Sequence, residues 1–286
     1  MTLKEIVCQG EHILKEAGIK DATEDARLLA MYAFDLDYSS FFLQINDDVS
    51  DEAAEWFMNY INLRSTHYPC QYIIGTANFM GYEFKVCEDV LIPRPETELL
   101  VEQAICLSEG KRPCKVLDLC CGSGCIGISY RKLRKEAGYE DYVMLADISK
   151  QAVSLADENA MRLGEQVDIV RSDLFGSVDE RFDMIISNPP YIKTAVIDTL
   201  MEEVRDYEPV LALDGHEDGL YFYDRIIKEA RDHLYDGGKL LFEIGHDQSE
   251  AVRRLFVDAG YEDIEQKKDY ADLDRIVTAV WRNKHV

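Results

Sequence analysis

The 286-residue sequence predicts an α/β fold: a mostly parallel sheet with helices on both faces, preceded by a small all-helical segment. Residues 1 to about 64 place their apolar side chains at helical spacing. From Lys115 onward, short runs rich in Val, Ile and Leu alternate with stretches of helical period, the pattern of a sheet covered on both faces. Hydrophobic residues make up 47% of the chain, enough to build one large core and a smaller one.

The helical segment opens with Ile6, Ile13, Leu14 and Ala17 on one face, and Gly18 supplies a stop. A second helix follows in DATEDARLLAMYAF, with Asp21 and Thr23 as caps and Ala26, Leu29, Ala30 and Ala33 facing inward. In DEAAEWFMNYINLRS a third helix aligns Trp56, Tyr60 and Leu63 along one stripe. These helices form a domain over residues 1–70. Residues 71–92, with QYIIGTANFMGYEFKV broken at Gly75 and Gly81, read as a β-hairpin linker. A large domain over residues 93–286 begins with IPRPETE and a helix near Thr97. Its strands are Lys115–Leu119, Tyr142–Asp147, Val167–Asp173, Phe182–Ser187 and Gly238–Ile244, with Arg275–Trp281 closing the chain.

Charge and cysteine content narrow the function classes. Fifty-five acids against 31 bases leave a net charge of −24, which repels a phosphate backbone and counts against nucleic acid as a direct partner. Eight cysteines include no CxxC pair, and the group Cys120, Cys121 and Cys125 lacks a usual zinc spacing. No metal is therefore expected, and reduced thiols point to the cytoplasm. Residues 1–10 lack the apolar core of a leader, and no apolar run approaches the ~18 residues of a membrane span, so no membrane partner is expected. A monomer is the default.

In such sheets ligands bind beyond the carboxyl ends of the strands. The first strand of the large domain runs into Cys120-Cys121-Gly122-Ser123-Gly124, whose glycines allow a tight turn and close approach of a cofactor at a helix N-terminus. The next ends at Asp147, placed to accept hydrogen bonds from the ribose hydroxyls of an adenosine. Asp173, followed by Leu174, can accept from an exocyclic amine such as that of adenine, or cap a helix. The fourth ends in Asn188-Pro189-Pro190-Tyr191. Two prolines stiffen this loop and remove two N–H donors. The Asn188 side chain and the Pro189 carbonyl can then accept both hydrogens of a planar NH2 group, with Tyr191 as a stacking face. No general base stands out, and the six histidines are scattered.

The stretches VLIPRPETELLVE, VLDLCCGSGCIGIS, ADIS, ENA, SDLF, SNPPYI, YEPVLAL, DGLYFYDRII, EIG and DLDRIV together resemble the peptide chain release factor glutamine N5-methyltransferases, the HemK/PrmC group. The resemblance is strong from about residue 65 onward. It implies a seven-stranded, Rossmann-like, class I S-adenosylmethionine-dependent methyltransferase domain whose last strand is antiparallel, carrying a helical domain that grips the substrate protein. It implies that Cys120 to Gly124, Asp147, Asp173, Leu174 and Asn188 line the S-adenosylmethionine site, with S-adenosylhomocysteine as product. Asn188, Pro189, Pro190 and Tyr191 would hold the glutamine of the Gly-Gly-Gln motif of class I release factors. Two departures stand out. Cys120 replaces a glycine or small residue, and Leu174 stands where relatives often carry an aromatic. The runner-up is an adenine or cytosine N-methyltransferase acting on nucleic acid, since NPPY serves those amines by the same geometry; a binding module retaining the fold is the third reading.

Overall fold

The first helix starts where Thr2 and Glu5 close a capping box: the Thr2 hydroxyl accepts from the Glu5 N–H at 3.3 Å, and the Glu5 carboxylate accepts from the Thr2 N–H at 2.9 Å. In the computed structural model, which describes residues 1–108, 110 and 113–283, this helix is α1 (Leu3–Glu16). The expected domain end at residue 286, and His285, lie outside the described residues. After α1 come α2 (Ala22–Ala33), α3 (Tyr38–Leu43), α4 (Asp51–Arg64) and α5 (Cys70–Ile74). Gly18, with φ of 80°, marks the end of the first helix as expected, and Asp21 caps the second by position without a side-chain bond.

These helices bury Leu3, Ile6, Leu14, Ala26, Leu29, Ala30, Phe41, Phe57 and Ile61 in one core. α1 and α4 cross at Gly10, where a Cβ would lie 2.7 Å from the Phe57 ring and 2.9 Å from Ile61. The inward face of α4 is thus Phe57, Ile61 and Arg64, whereas Trp56 and Leu63 are exposed. Arg64 is buried and paired with Asp25 at 2.7 Å and Glu203 at 2.6 Å. Glu203 belongs here because the helical unit comprises Met1–Thr76 together with Met201–Tyr207, which contains the one-turn helix α10 (Glu202–Arg205); α9 (Thr194–Ile197) precedes that segment.

The second unit comprises Ala77–Leu200 and Glu208–Val286. Its entry is a two-stranded hairpin, β1 (Thr76–Phe79) and β2 (Tyr82–Lys85). The QYII stretch expected within that hairpin is instead α5, closed by Gly75 in the left-handed region at φ 82°. β-branched residues favour strands only when a partner strand is available, and here the run ends at a helix stop.

The main sheet uses β3 (Lys115–Leu119), β4 (Tyr142–Asp147), β5 (Asp168–Arg171), β6 (Phe182–Ser187), β7 (Leu234–Glu243), β8 (Glu262–Lys268) and β9 (Asp274–Val280). It has seven strands in the order β5-β4-β3-β6-β7-β9-β8. The first five in that order run parallel, β9 is antiparallel to β7, and β8 is antiparallel to β9. Helices α6 (Glu98–Ser108), α7 (Cys125–Glu136), α8 (Lys150–Leu163), α11 (Val210–Leu213), α12 (Tyr221–His233) and α13 (Ser249–Asp258) complete the unit. Separate apolar clusters cover its faces, one built around Val116, Leu145 and Ile186, the other around Leu117, Ile185 and Leu240. Adjacent positions on one strand thus serve opposite cores, which explains the unbroken apolar runs. β3 and β6 are neighbours although distant in sequence, so the strand order reverses between them. That reversal opens a crevice at their carboxyl ends.

Candidate active site

Leu119 at the end of β3 pairs with Ser187 at the end of β6, and the Ser187 hydroxyl donates to the Leu119 carbonyl at 2.6 Å. The two loops that follow, 120–124 and 188–191, therefore leave the sheet side by side. They border a cleft of about 1030 Å³, counted to its open mouth. Of the residues expected at the site, Cys120, Cys121, Gly122, Ser123, Asp147, Asp173, Leu174, Asn188 and Pro190 line it. Gly124, Pro189 and Tyr191 do not: Gly124 and Tyr191 have other places, and Pro189 is buried.

Gly124 caps α7 at φ 78°, and a Cβ there would meet Ile128 at 2.8 Å. Before it, Cys120 holds φ 61° and Gly122 φ 54°. The left-handed conformation at Cys120 is one that glycine adopts freely and other residues pay for in strain. Burial pushes the thiols of Cys120, Cys121 and Cys125 upward, that of Cys125 to about 12, so none offers a thiolate near neutrality. Beneath the loop, buried Asp118 accepts from the Gly127 N–H at 2.8 Å. Burial raises its carboxyl to about 7, against the opposing Gly127 hydrogen bond and with added repulsion from Asp147.

Asp147 ends β4 with both oxygens engaged: the Gly122 N–H donates at 2.9 Å and the Ser149 N–H at 2.8 Å. Burial raises its pKa, and these N–H groups together with that of Ile148 hold it down. Each carboxylate oxygen keeps a further lone pair for a hydroxyl donor. Asp173 is exposed and ion-paired with Arg225 at 3.1 Å, and no side-chain cap involves it. Leu174 is buried in the left-handed region at φ 46°, its carbonyl accepting from the Ser172 hydroxyl at 2.6 Å.

The NPPY loop is fixed from below. The Tyr191 carbonyl accepts from Gln248 Nε2 at 3.0 Å, and a Cβ on Gly219 would lie 2.4 Å from that same oxygen. The Tyr191 ring packs against the apolar cluster around Leu240, and burial pushes its hydroxyl up to about 12. Asn188 stands at the mouth, half-buried, and donates from Nδ2 to Thr97 Oγ1 at 3.4 Å.

Several residues were not singled out from sequence. Arg94 lines the cleft and is ion-paired with buried Glu208, while Leu211 and Phe222 form a further wall. Asn159 is fully buried in α8; its side chain donates to the carbonyls of Ser123 at 3.0 Å and Lys85 at 3.1 Å, and accepts from the Lys85 N–H at 2.7 Å. It pins the glycine loop to β2. A polar residue on the inward face of an amphipathic helix was the available signal. Glu243 ends the apolar run of β7 and is 2% exposed.

The Methyltransferase small domain family matches residues 95–216, and the PrmC N-terminal domain family matches residues 5–75. The chain is 38% identical over 289 residues to the release factor glutamine methyltransferase of Clostridium botulinum, covering 98% of this chain and 99% of that one. It is 37% identical over 285 residues to the enzyme of the same name from Clostridium acetobutylicum, with the same coverage of each. Among solved structures, a methyltransferase from Pyrococcus furiosus shares the fold, with a TM-score of 0.51 at 18% identity over 78% of this chain and 98% of that one. Near-complete coverage by relatives at this identity leaves one assignment: this methyltransferase belongs to the HemK/PrmC family of release factor glutamine methyltransferases.

Proposed function

We propose that the protein transfers the methyl group of S-adenosylmethionine to the side-chain amide nitrogen (N5) of the glutamine in the Gly-Gly-Gln motif of class I release factors. The observation that carries this reading is the adjacency of the Asn188 loop and the glycine loop across the β3/β6 reversal, at one cleft. The residues present fit the cofactor. Asp147 offers acceptors for ribose hydroxyls, Leu174 and Ile148 give apolar walls, and the N-terminus of α7 faces the same space. When bound, S-adenosylmethionine supplies an electrophilic methyl group on a sulfonium that leaves without needing an acid.

The chain's own contribution is orientation. Asn188 Oδ1 accepts one amide hydrogen, and the Pro189 carbonyl, from a residue outside the cleft lining, is the second acceptor the motif offers; together they fix the plane of the acceptor and turn its nitrogen toward the methyl group. The same two acceptors stabilise positive charge developing on that nitrogen, which loses one of its two protons to solvent as the carbon–nitrogen bond forms and the carbon–sulfur bond breaks. Residues 93–286 perform the transfer, 71–92 link, and 1–70 bind the release factor. Exposed Trp56, Phe42 and Leu43 supply apolar surface for a protein partner, and the charge of −24 disfavours direct contact with nucleic acid. Asn188→Ala should abolish transfer to a purified release factor while cofactor binding, followed by calorimetry, persists. Wild-type turnover in that variant would remove the role given to Asn188. Label from radioactive S-adenosylmethionine appearing on DNA or RNA, and not on the factor, would move the acceptor to nucleic acid.

A further inference from the structure

A single buried amide holds the exit of the NPPY loop, and its bearing on catalysis rests on the reading of Asn188 and Pro189 given above. Gln248 stands at the N-cap of α13 and is 5% exposed. An N-cap side chain ordinarily accepts from the first turn of its own helix, and this one makes no such bond. It reaches three backbone groups outside the helix instead. Nε2 donates to the Tyr191 carbonyl at 3.0 Å and to the Gly219 carbonyl at 3.1 Å, while Oε1 accepts from the Gly245 N–H at 3.0 Å. Two carbonyls need donors and one N–H needs an acceptor, so the amide fits only one way round. Glycines close the socket: a Cβ would lie 2.6 Å from Nε2 at Gly219 and 2.9 Å from Oε1 at Gly245.

The loop held in this way has little freedom of its own. The rings of Pro189 and Pro190 fix φ at two positions. Asn188 and Pro189 each precede a proline, which keeps both out of the helical region. At the entrance the Ser187 hydroxyl ties the chain to Leu119, and past the exit the Ile192 N–H donates to the Leu213 carbonyl at 3.0 Å. The rotations left are ψ of Pro190 and the two torsions of Tyr191. A bond to the Tyr191 carbonyl removes them.

We propose that Gln248 is a positioning residue for methyl transfer: by holding the Tyr191 carbonyl it sets the Pro189 carbonyl and the Asn188 amide at the spacing that receives both hydrogens of the acceptor NH2 group. The same Nε2 holds Gly219, three residues before Phe222 in the cleft wall, so one group keeps the acceptor loop and that wall in register. Without the bond the two prolines still stiffen the loop, but its exit is free to swing and both acceptors move with it.

The test reads the loop directly. Pro190–Tyr191 is the only Pro-Tyr step in the sequence. Full-length protein labelled with carbon-13 at proline carbonyls and nitrogen-15 at tyrosine therefore gives one carbonyl-filtered amide resonance, that of Tyr191. In Gln248→Met this resonance should shift or broaden while most other tyrosine amides stay in place, which a general loosening of the core would not produce. In methyl transfer to a release factor, Gln248→Met should lower kcat by about tenfold to a hundredfold, the scale of a misplacement of about an ångström. KM for S-adenosylmethionine, and the Kd of S-adenosylhomocysteine by calorimetry, should stay within about threefold. Gln248→Glu keeps the shape and the Gly245 bond but gives up at least one of the two donated hydrogens. Its kcat should fall as well, and it carries the test if Gln248→Met does not fold. A Tyr191 resonance that stays in place in the folded variant would overturn the proposal, as would wild-type kcat in either one. Absent transfer to the factor by the wild type, with the Tyr191 shift present, would refute the acceptor and leave the hold of Gln248 on the loop supported.

Discussion

Asp147 is set before any ligand arrives, because the N–H groups of Gly122 and Ser149 already hold its two oxygens. Asp147→Ala should therefore weaken the cofactor twice over, by losing an acceptor and by freeing the glycine loop. About tenfold to a hundredfold in Kd by calorimetry is expected, the scale of one or two hydrogen bonds to a charged group. Burial raises the Asp147 pKa, so affinity should fall as pH drops toward that raised value and hold above it. Affinity that stays flat through the whole acid range in which the protein remains folded would remove the ribose role. Glu243 has the opposite meaning for folding. The fold favours its neutral form, so its contribution to stability is full below pH 4.5 and is lost as pH rises through about 7. Glu243→Gln should thus gain stability relative to the wild type on going from pH 5 to pH 8, by up to about 3 kcal/mol. Thermal unfolding at the two pH values measures it, and an equal difference at both would contradict the buried carboxyl.

At the scale of elements, the α7–β4 contact depends on one absent side chain. A Cβ on Gly127 would sit 2.3 Å from Leu145 Cδ2 and 3.0 Å from Asp118 Cβ, both in the core. Gly127→Ala should destabilise by about 1–3 kcal/mol and displace the glycine loop, seen as a lower Tm with weaker cofactor binding. An unchanged Tm would mean that the helix shifts freely. The same contrast between buried and open elements explains what sequence made legible. β3, β4 and β6 are apolar on both faces, and their expected limits match the observed ones. β8, with the sequence EDIEQKK, escaped notice because it is an edge strand whose side chains mostly face solvent, leaving little apolar alternation to read. The one-turn helices α9, α10 and α11 escaped because four residues carry no period. The cofactor loop and NPPY were readable as local runs of chain. Glu243 was not, since only the parallel register of β6 and β7, with Ser187 opposite Phe242, sets it beside the NPPY loop.

For the whole molecule, the net charge of −24 sets how the protein meets partners, while buried charge governs how the helical unit closes. Arg64→Ala should cost about 3–5 kcal/mol, since it leaves Asp25 and Glu203 without their shared cation in a site where Arg64 is 4% exposed. Urea unfolding would read this, and a loss below about 1 kcal/mol would show that water reaches the pair. Glu203 also bears on how this architecture can be inherited. The helical unit is made of two stretches of chain, the second drawn from between β6 and β7 of the other unit. It is therefore not a detachable cassette. A gene fusion joining residues 1–76 to a different catalytic body would carry Arg64 away from one of its two counterions. Any lineage that exchanges this unit must exchange the insertion with it.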